Sequence, residues 1–472
     1  MELGNFELAK FQEPGYNNLV AQHRHLLLYE MGLGKTVVCT KASYDIGVRY
    51  ILIICPKNAI KTWENHIKAW YDGLDVALGK TSEDTETTFH IWRWRKKSND
   101  AEKRRALWRS IDRGAKVNIW ITTFAGYVRD AEHFIQPYDC IIIDEAKRIR
   151  NRKSKAFLSL KPLCREAKYV WPLTGTPGHL PAHFWTMLHL IDHKNFSSYW
   201  KFVGALYVTI KNSFGGLELI AFKNQKAWFD ILRRKATILT KKDVGHAETI
   251  RGIKYAELDE CQERLYRQYA EDMYAIIGDR IDITSTSLTQ VVRYRQLLIC
   301  PKIIDPSLSI GGAFADLIES FEEGDTDPHC VIFCPFTDAF PHFIQYLEEH
   351  GIKGTQTLQG GLDPDEQERR INLWRTQKGP ILCSIMYAQS FSLEPAAEAF
   401  FIGYEWDPED NAQAEERLNR LTTNYAVSAW YYTYEDTYDE RQLEVVNTKQ
   451  RMRNSTIPKS AQKIPLEILS QI

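Results

Sequence analysis

Three groups of side chains in this chain have the types and spacing to work on a phosphoanhydride. The first is Gly32-Leu33-Gly34-Lys35-Thr36, which follows the apolar run Leu26–Leu28 and opens a helix-like stretch from Thr36 to Gly47. A strand, a glycine-bearing loop and a helix beginning Lys-Thr form a phosphate cradle. Backbone N–H groups face the β-phosphate, Lys35 reaches the β/γ oxygens, and the Thr36 hydroxyl can ligate Mg²⁺. The usual first glycine of such a loop, five residues before Gly34, is here Tyr29. Alone, the segment also reads as a glycine turn between a buried strand and a helix.

The second group is Asp144-Glu145, closing the apolar run Cys140–Ile143. There Asp144 would hold Mg²⁺, and Glu145 would orient and deprotonate an attacking water. Acid pairs at strand ends are common, and it is the phosphate loop earlier in the same sheet that gives this pair meaning. The third group is Gln413, Arg417 and Arg420. On a helix they share one face, from which two guanidinium groups could reach a triphosphate across a cleft. An arginine supplied this way is worth roughly 10³–10⁵ in rate, although the same spacing suits a surface helix with ion pairs. Thr174-Gly175-Thr176-Pro177 adds a hydroxyl-bearing turn able to sense a γ-phosphate.

The elements that must position these groups follow a pattern. Apolar runs at Leu26–Leu28, Ile51–Ile54, Ile119–Ile121, Cys140–Ile143 and Tyr169–Leu173 alternate with helix-like stretches near Thr36–Gly47, Asn58–Trp70, Ala101–Asp112 and Ser154–Arg165. Such alternation predicts a doubly wound parallel sheet with ligands at the carboxyl ends of its strands. Pro172 is the odd residue, because proline cannot donate to a ladder. From about Pro181 to Leu308 the spacing becomes helical, predicting helices that protrude from or join two lobes. Alternation then resumes, with strands at Cys330–Phe333, Ile381–Ser384, Ala399–Ile402 and Ala429–Tyr432. Helices fit Ala339–His350, Pro364–Thr376, Asn411–Arg420 and Tyr438–Arg451. The expected class is α/β: two doubly wound parallel-sheet lobes with a helical insertion. The expected division is 1–240 (protruding from about 181), an insertion over 241–310, and a second lobe over 311–472.

Composition bounds the reading. At 472 residues the chain suits two or three domains. No apolar run approaches the roughly 20 residues of a membrane span, so no membrane partner is expected. The nine cysteines include no C-x-x-C pair, which argues against a zinc site. Net charge is −1, so any nucleic-acid grip must come from local clusters. Three exist: Arg93–Arg109 with Trp92, Trp94 and Trp108 interleaved, Lys147–Lys155, and Arg233–Lys242.

In this order and context, the motifs resemble the Swi/Snf-type branch of the superfamily-two helicase-like ATPases. Glu30–Thr36 is similar to that branch's phosphate loop, and Leu8-Ala9-Lys10-Phe11-Gln12 to its adenine-contacting segment, with Gln12 as the contact. Ile51–Pro56 with Trp63-Glu64 resembles motif Ia, and Ile121–Phe124 motif Ib. Asp144–Asn151 resembles the DEGHRIKN-like box, Leu173–Pro177 the LTGTP motif, and Gln413–Arg420 the QAEDRAHR-like motif VI. Phe333–Phe336, Leu358–Gly361 and Arg369 look like the start of the second lobe, and Arg233-Arg234-Lys235 like an LRR-type segment.

The resemblance implies that the two lobes are RecA-like, with ATP and Mg²⁺ clamped between them. Lys35, Glu145, Arg417 and Arg420 would be catalytic. Gln12, Gly32, Gly34, Lys35, Thr36, Asp144 and Gln413 would hold the nucleotide, with Thr36 and Asp144 on the metal. It further implies a double-stranded DNA partner gripped by its phosphates, with Pro56, Lys57, Thr122, Thr123, Thr174 and Gly360 as contacts. The implied activity is ATP-dependent translocation that remodels or displaces protein–DNA complexes. The alternatives are a strand-separating or branch-migrating helicase acting on single-stranded or forked DNA, and a nucleic-acid-binding scaffold with little ATPase activity. A Trp92–Trp108 stretch stacking on bases would favour the helicase.

Three positions depart from the family pattern. Lys147 replaces the usual histidine of the box, and Gln389–Pro395 lacks the glycines of motif V. Thr422-Thr423 stands where Gly-Gln is usual. Since the motor motifs fill the chain, a stand-alone motor of bacterial or phage type is expected. It would be cytoplasmic in such a host, nuclear in a eukaryote, and meet a protein partner not identifiable from sequence.

Overall fold

The computed structural model describes residues 7–77, 87–92, 100–176, 178, 180–211, 217–278, 280–284, 286–388, 391–420 and 422–456. Expectations falling on Arg93–Lys97, Pro177, Gln389-Ser390 and the apolar tail Ile464–Ile472 lie outside them. The chain forms two compact units, one over Met1–His246 with the C-terminal segment from Met452, the other over Ala247–Arg451.

The strands of the first unit are β1 (Leu26–Tyr29), β2 (Tyr50–Cys55), β3 (Thr87–Ile91), β4 (Val117–Thr123), β5 (Cys140–Asp144) and β6 (Tyr169–Leu173). They continue with a hairpin of β7 (Tyr207–Lys211) and β8 (Leu217–Phe222), and with β9 (Ala236–Leu239). Seven of them make one sheet in the order β3-β4-β2-β5-β6-β1-β9, and every pairing in it is parallel. Apolar side chains continue along each strand because helices cover both faces. Leu26, Leu28, Leu52, Ile54, Ile141 and Ile143 point into one core, and Leu27, Tyr29, Ile51, Ile53, Cys140 and Ile142 into the other. Pro172 is tolerated by register. Val170 N–H donates toward the β1 side, to His23 O, and Thr174 N–H donates to Leu27 O. Pro172 lies between them with the same parity, so its missing N–H removes a single rung.

The second unit contains β10 (Ile250–Tyr255), a hairpin of β11 (Tyr274–Ile277) and β12 (Arg280–Ile283), β13 (Val331–Cys334), β14 (Gln356–Leu358), β15 (Ile381–Ser384), β16 (Glu398–Phe401) and β17 (Ser428–Thr433). Its sheet runs β10-β17-β16-β13-β15-β14, again parallel throughout. The class is therefore α/β, two RecA-like units, as the alternation implied.

The stretch from Pro181 to Leu308 corrects the sequence reading. Helices at Trp185–Ile191, Tyr199–Leu206, Gln225–Lys235, Glu260–Asp272 and Ser287–Ile299 are present, but six strands lie among them. β9 joins the first sheet beside β1, and β10 joins the second beside β17. Residues 247–310, expected as a linking insertion, belong to the second unit. Helical spacing missed these strands because β9 is only four residues long and β10 and the hairpins have no continuous buried run. Among the described residues no helix is long and apolar enough to cross a membrane, and all nine cysteines are free thiols.

Candidate functional site

The phosphate loop is built by β1, the turn after it and the helix Lys35–Asp45. Gly32 and Gly34 both have φ of +82°, the left-handed region that only glycine enters cheaply. Gly34 has a second reason: a Cβ there would lie 2.1 Å from Gln12 Nε2. Gln12 is nearly buried and spends both ends of its amide on backbone. It donates to Leu33 O at 3.1 Å and accepts the Ala9 N–H at 3.1 Å. The structure thus places Gln12 as a brace beneath the loop.

Tyr29 needs no glycine's freedom. It is the last residue of β1, fully buried, with its hydroxyl beneath the helix Glu13–Gln22. A Cβ on Gly15 would meet that hydroxyl at 2.0 Å. Lys35 lies across the loop, its Nζ 2.8 Å from Tyr29 O and 3.3 Å from Glu30 O.

Asp144 and Glu145 follow at the end of β5. Asp144 pairs in register with Leu173 of β6, whose next residues form the Thr174-Gly175-Thr176 turn. Trp63, on the helix Ile60–Ala77, donates its indole N–H to Asp144 Oδ2 at 2.9 Å. Burial and the neighbouring Glu145 charge push the Asp144 carboxyl up, while Trp63, Lys35 and the Glu145 N–H pull against them. A bound cation would remove that pressure. Glu145 is one of four described non-glycine residues with positive φ, at 51°. Its Oε2 is buried without a hydrogen-bond partner, an unspent acceptor suited to a water.

The Thr174 turn is locked to the phosphate loop. A Cβ on Gly175 would sit 2.9 Å from Tyr29 O and 3.3 Å from Met31 N, so the two backbones touch. Thr174 is buried and its Oγ1 accepts the Thr176 N–H at 3.1 Å. The expected nucleic-acid residues of this unit sit at adjacent strand ends, with Cys55 opposite Thr123. Lys57 is exposed and Pro56 buried. Thr122 is buried too, and Thr123 uses its hydroxyl to accept the Gly126 N–H as a helix cap at 3.0 Å.

One expectation fails here. Trp108, offered as a base-stacking ring, is 1% exposed. It stacks on Phe134 at 4.9 Å and donates to Asp130, which also binds Arg104. The amphipathic spacing that aligned Trp108 with arginines turned the ring inward. Trp92 packs partly buried against the same core.

In the second unit the arginines depart from the predicted helix. The helix Pro408–Glu415 holds Gln413, but it stops before Arg417. Arg417 N–H donates to Ala414 O and Leu418 N–H to Glu415 O, a tightening to shorter turns. The two guanidinium groups still converge. Arg417, 2% exposed, donates through Nε to Ala388 O at 3.0 Å and through Nη1 to Phe391 O at 3.5 Å. Arg420 donates through Nη2 to the same Phe391 carbonyl. Burial draws the Arg420 guanidinium below its ordinary value, against the charges of Glu394 and Glu416. Gly360 is exposed in the turn after β14.

The family model of the SNF2-related domain matches residues 11–302, more than half of the chain. The chain belongs to the SNF2-related family.

Its similarity to curated SNF2-type proteins is spread along most of its length. It is 23% identical to the CHD3-type chromatin-remodeling factor CHR7 of Arabidopsis thaliana, over 92% of this chain and 36% of that protein. It is 23% identical to chromodomain-helicase-DNA-binding protein 7 of Gallus gallus, over 94% and 16%. It is 22% identical to the transcription regulatory protein SNF2 of Saccharomyces cerevisiae, over 84% and 24%. The chain therefore spans little more than a third, or less, of these relatives. A solved structure described as the Sulfolobus solfataricus SWI2/SNF2 ATPase core in complex with dsDNA aligns over 100% of this chain and 99% of its own. Its identity is 18% and its TM-score 0.42.

Against the SNF2-related pattern, two departures fall together in space. Glu394, in the motif V segment without glycines, accepts hydrogen bonds from Thr422 and Thr423, which replace Gly-Gln. Trp63 is the site residue that chemistry-bearing motifs alone did not assign. Its signal was its place in the motif Ia resemblance, on the helix after the strand beside β5.

Proposed function

We propose that this SNF2-related chain is a DNA-stimulated ATPase that translocates on double-stranded DNA and displaces or remodels protein–DNA complexes. The observation that carries the reading is the convergence in the first unit of Lys35, Asp144 and the Glu145 carboxylate with its unpartnered Oε2. The Gly175 backbone lies packed on the phosphate loop beside them.

In this reading the loop N–H groups and Lys35 hold the β/γ oxygens of ATP. Lys35 leaves the Tyr29 and Glu30 carbonyls, and the phosphate charge replaces those two bonds. Thr36 and Asp144 would hold Mg²⁺, which when bound neutralises charge on the phosphate oxygens. No cluster of three or more His, Cys, Asp or Glu exists among the described residues, so phosphate oxygens would complete such a site. Glu145 takes the proton of the water attacking the γ-phosphorus. The Thr174 turn, in contact with the loop backbone, is placed to feel the change when the γ-phosphate departs. Arg417 and Arg420 would supply positive charge to the transferring group, with Gln413 on the adjoining helix. Gln12 would reach adenine only by surrendering a backbone bond, so its proposed role begins with bracing the loop.

The DNA grip is assigned to Lys57, Thr123 and Gly360 with the basic box Lys147–Lys155. It would be phosphate-directed, sequence-tolerant and weakened by salt. Turnover of ATP measured with and without duplex DNA tests the proposal. Absence of stimulation in protein that binds ATP and Mg²⁺ would sink it. Triplex displacement without strand separation separates a translocase from a helicase.

A further inference from the structure

The turn bearing Arg417 and Arg420 is held from two sides. One side faces Phe391 O, where both guanidinium groups end. The other side faces the segment by which the chain enters the second unit at Ala247. Glu415 is 1% exposed, and Arg251 clasps its carboxylate from Nε at 2.8 and 2.9 Å. Asn419 donates its amide to Ala247 O and to Thr249 Oγ1, both at 3.0 Å.

The spacing is that of an extended chain. Side chains two apart share a face, so Thr249 and Arg251 point at the arginine turn while Ile250 between them is 54% exposed. On the turn, Glu415 and Asn419 flank Arg417 by two residues on either side, and Asn419 adjoins Arg420. The helix has ended at Glu415, and the backbone goes on in short turns, Arg417 N–H donating to Ala414 O and the Leu418 and Asn419 N–H groups to Glu415 O. The side-chain bonds of Glu415 and Asn419 tie those turns to Arg251 and Thr249.

We infer that Ala247–Arg251 is a positioning strap for the arginine turn, and that displacement of the chain where it enters the second unit is delivered to Arg417 and Arg420. Arg251, Thr249 and Asn419 are positioning residues that act through the arginines. The inference rests on the proposed ATPase reading.

The test uses the full chain with Arg251→Ala, Arg251→Lys and Asn419→Ala. On duplex DNA, Arg251→Ala and Asn419→Ala should each lower kcat about ten-fold while KM for ATP stays within about two-fold. Arg251→Lys, which keeps the charge but loses the fork, should fall between. Free guanidinium at low millimolar concentration should recover part of the Arg251→Ala rate and none of the Asn419→Ala rate. Wild-type kcat in both alanine variants would overturn the strap, as would a loss of kcat matched by a loss of thermal stability that the lysine does not relieve.

Hydrogen exchange supplies a readout independent of turnover. In Arg251→Ala the amides of Arg417–Asn419 should exchange faster than in wild type, and unchanged exchange there refutes the inference whatever the rates. If wild type proves not to hydrolyse ATP on DNA, the proposed function fails, and exchange alone still decides whether strap and turn are coupled.

Discussion

The Thr423 hydroxyl donates to Glu394 Oε1 at 2.5 Å, and the neighbouring Thr422 hydroxyl donates to the same oxygen at 2.9 Å. Ser392 Oγ reaches the other carboxylate oxygen at 3.0 Å. Burial pushes the Glu394 carboxyl up, but the three hydroxyls and the Arg420 charge outweigh it and hold it below the usual range. Thr423 Oγ1 also accepts the Arg420 N–H at 3.0 Å. Two departures from the family pattern are therefore one contact, which adds side-chain bonds to the backbone bond from Leu393 N–H to Arg417 O at 2.8 Å that joins this segment to the arginine turn.

A double-mutant cycle with Glu394→Gln and Thr423→Val should show this coupling. Each single change is expected to cost about 1–3 kcal/mol of unfolding free energy in urea. The pair should fall short of additivity by roughly 1 kcal/mol. Strict additivity would mean that the two substitutions are independent accidents.

The legible part of the fold was the part with continuous buried runs. Ile51–Ile54 and Cys140–Ile143 announced central parallel strands because both faces of the sheet are covered. β10 was opaque because Ile250, Ile253 and Tyr255 are exposed at a sheet edge, leaving no run to detect. In the candidate site, residue types singled out Lys35, Asp144 and Glu145. Spacing could not show that Arg417 lies beyond the helix end, because a shorter turn presents the same residues with no change in sequence pattern. Nor could it show that Trp108 faces inward, since an amphipathic stretch leaves open which side meets the core.

Lys35→Ala and Glu145→Gln should both abolish ATP turnover, by different routes. In the proposed mechanism Lys35 contributes charge to binding, so its removal should weaken retention of ATP. Glu145 there accepts the proton of water, and glutamine keeps the shape without the basicity. Nucleotide retained by Glu145→Gln and lost by Lys35→Ala, read by equilibrium binding, is the expected pattern. Turnover in Glu145→Gln within about ten-fold of wild type would remove the general-base assignment.

Gly175→Ala should damage the phosphate loop from outside it. The added methyl meets Tyr29 O at 2.9 Å and Glu30 Cα at 3.3 Å, which are backbone atoms and cannot swing away. Overpacking of this kind costs about 1–3 kcal/mol. Displacement of the loop should weaken ATP binding more than Gly360→Ala, where a Cβ meets nothing within 4 Å. Equal affinities in the two variants would show that the turn and the loop move independently.

His25 should make the stability of the first unit fall with acid. It is fully buried, with Nδ1 3.1 Å from Gln22 Oε1 and Nε2 2.9 Å from Thr237 Oγ1. Asn18 donates to that same Thr237 oxygen at 2.9 Å. Gln22 Oε1 can only accept, so Nδ1 carries the hydrogen, and the Thr237 hydroxyl gives its proton to Nε2 of a neutral ring. Burial, helped by the Lys235 charge, lowers its pKa from 6.5 to about 4. Between those values the unfolded chain binds a proton that the folded chain refuses, so stability is complete above pH 6.5 and declines as pH falls toward 4. The full shift corresponds to roughly 3 kcal/mol. Urea midpoints for wild type and His25→Gln, compared at each pH, isolate this ring from other titrations. The wild-type advantage should shrink over that interval, and an advantage constant with pH would show that the ring takes up its proton equally well in the folded and unfolded chain.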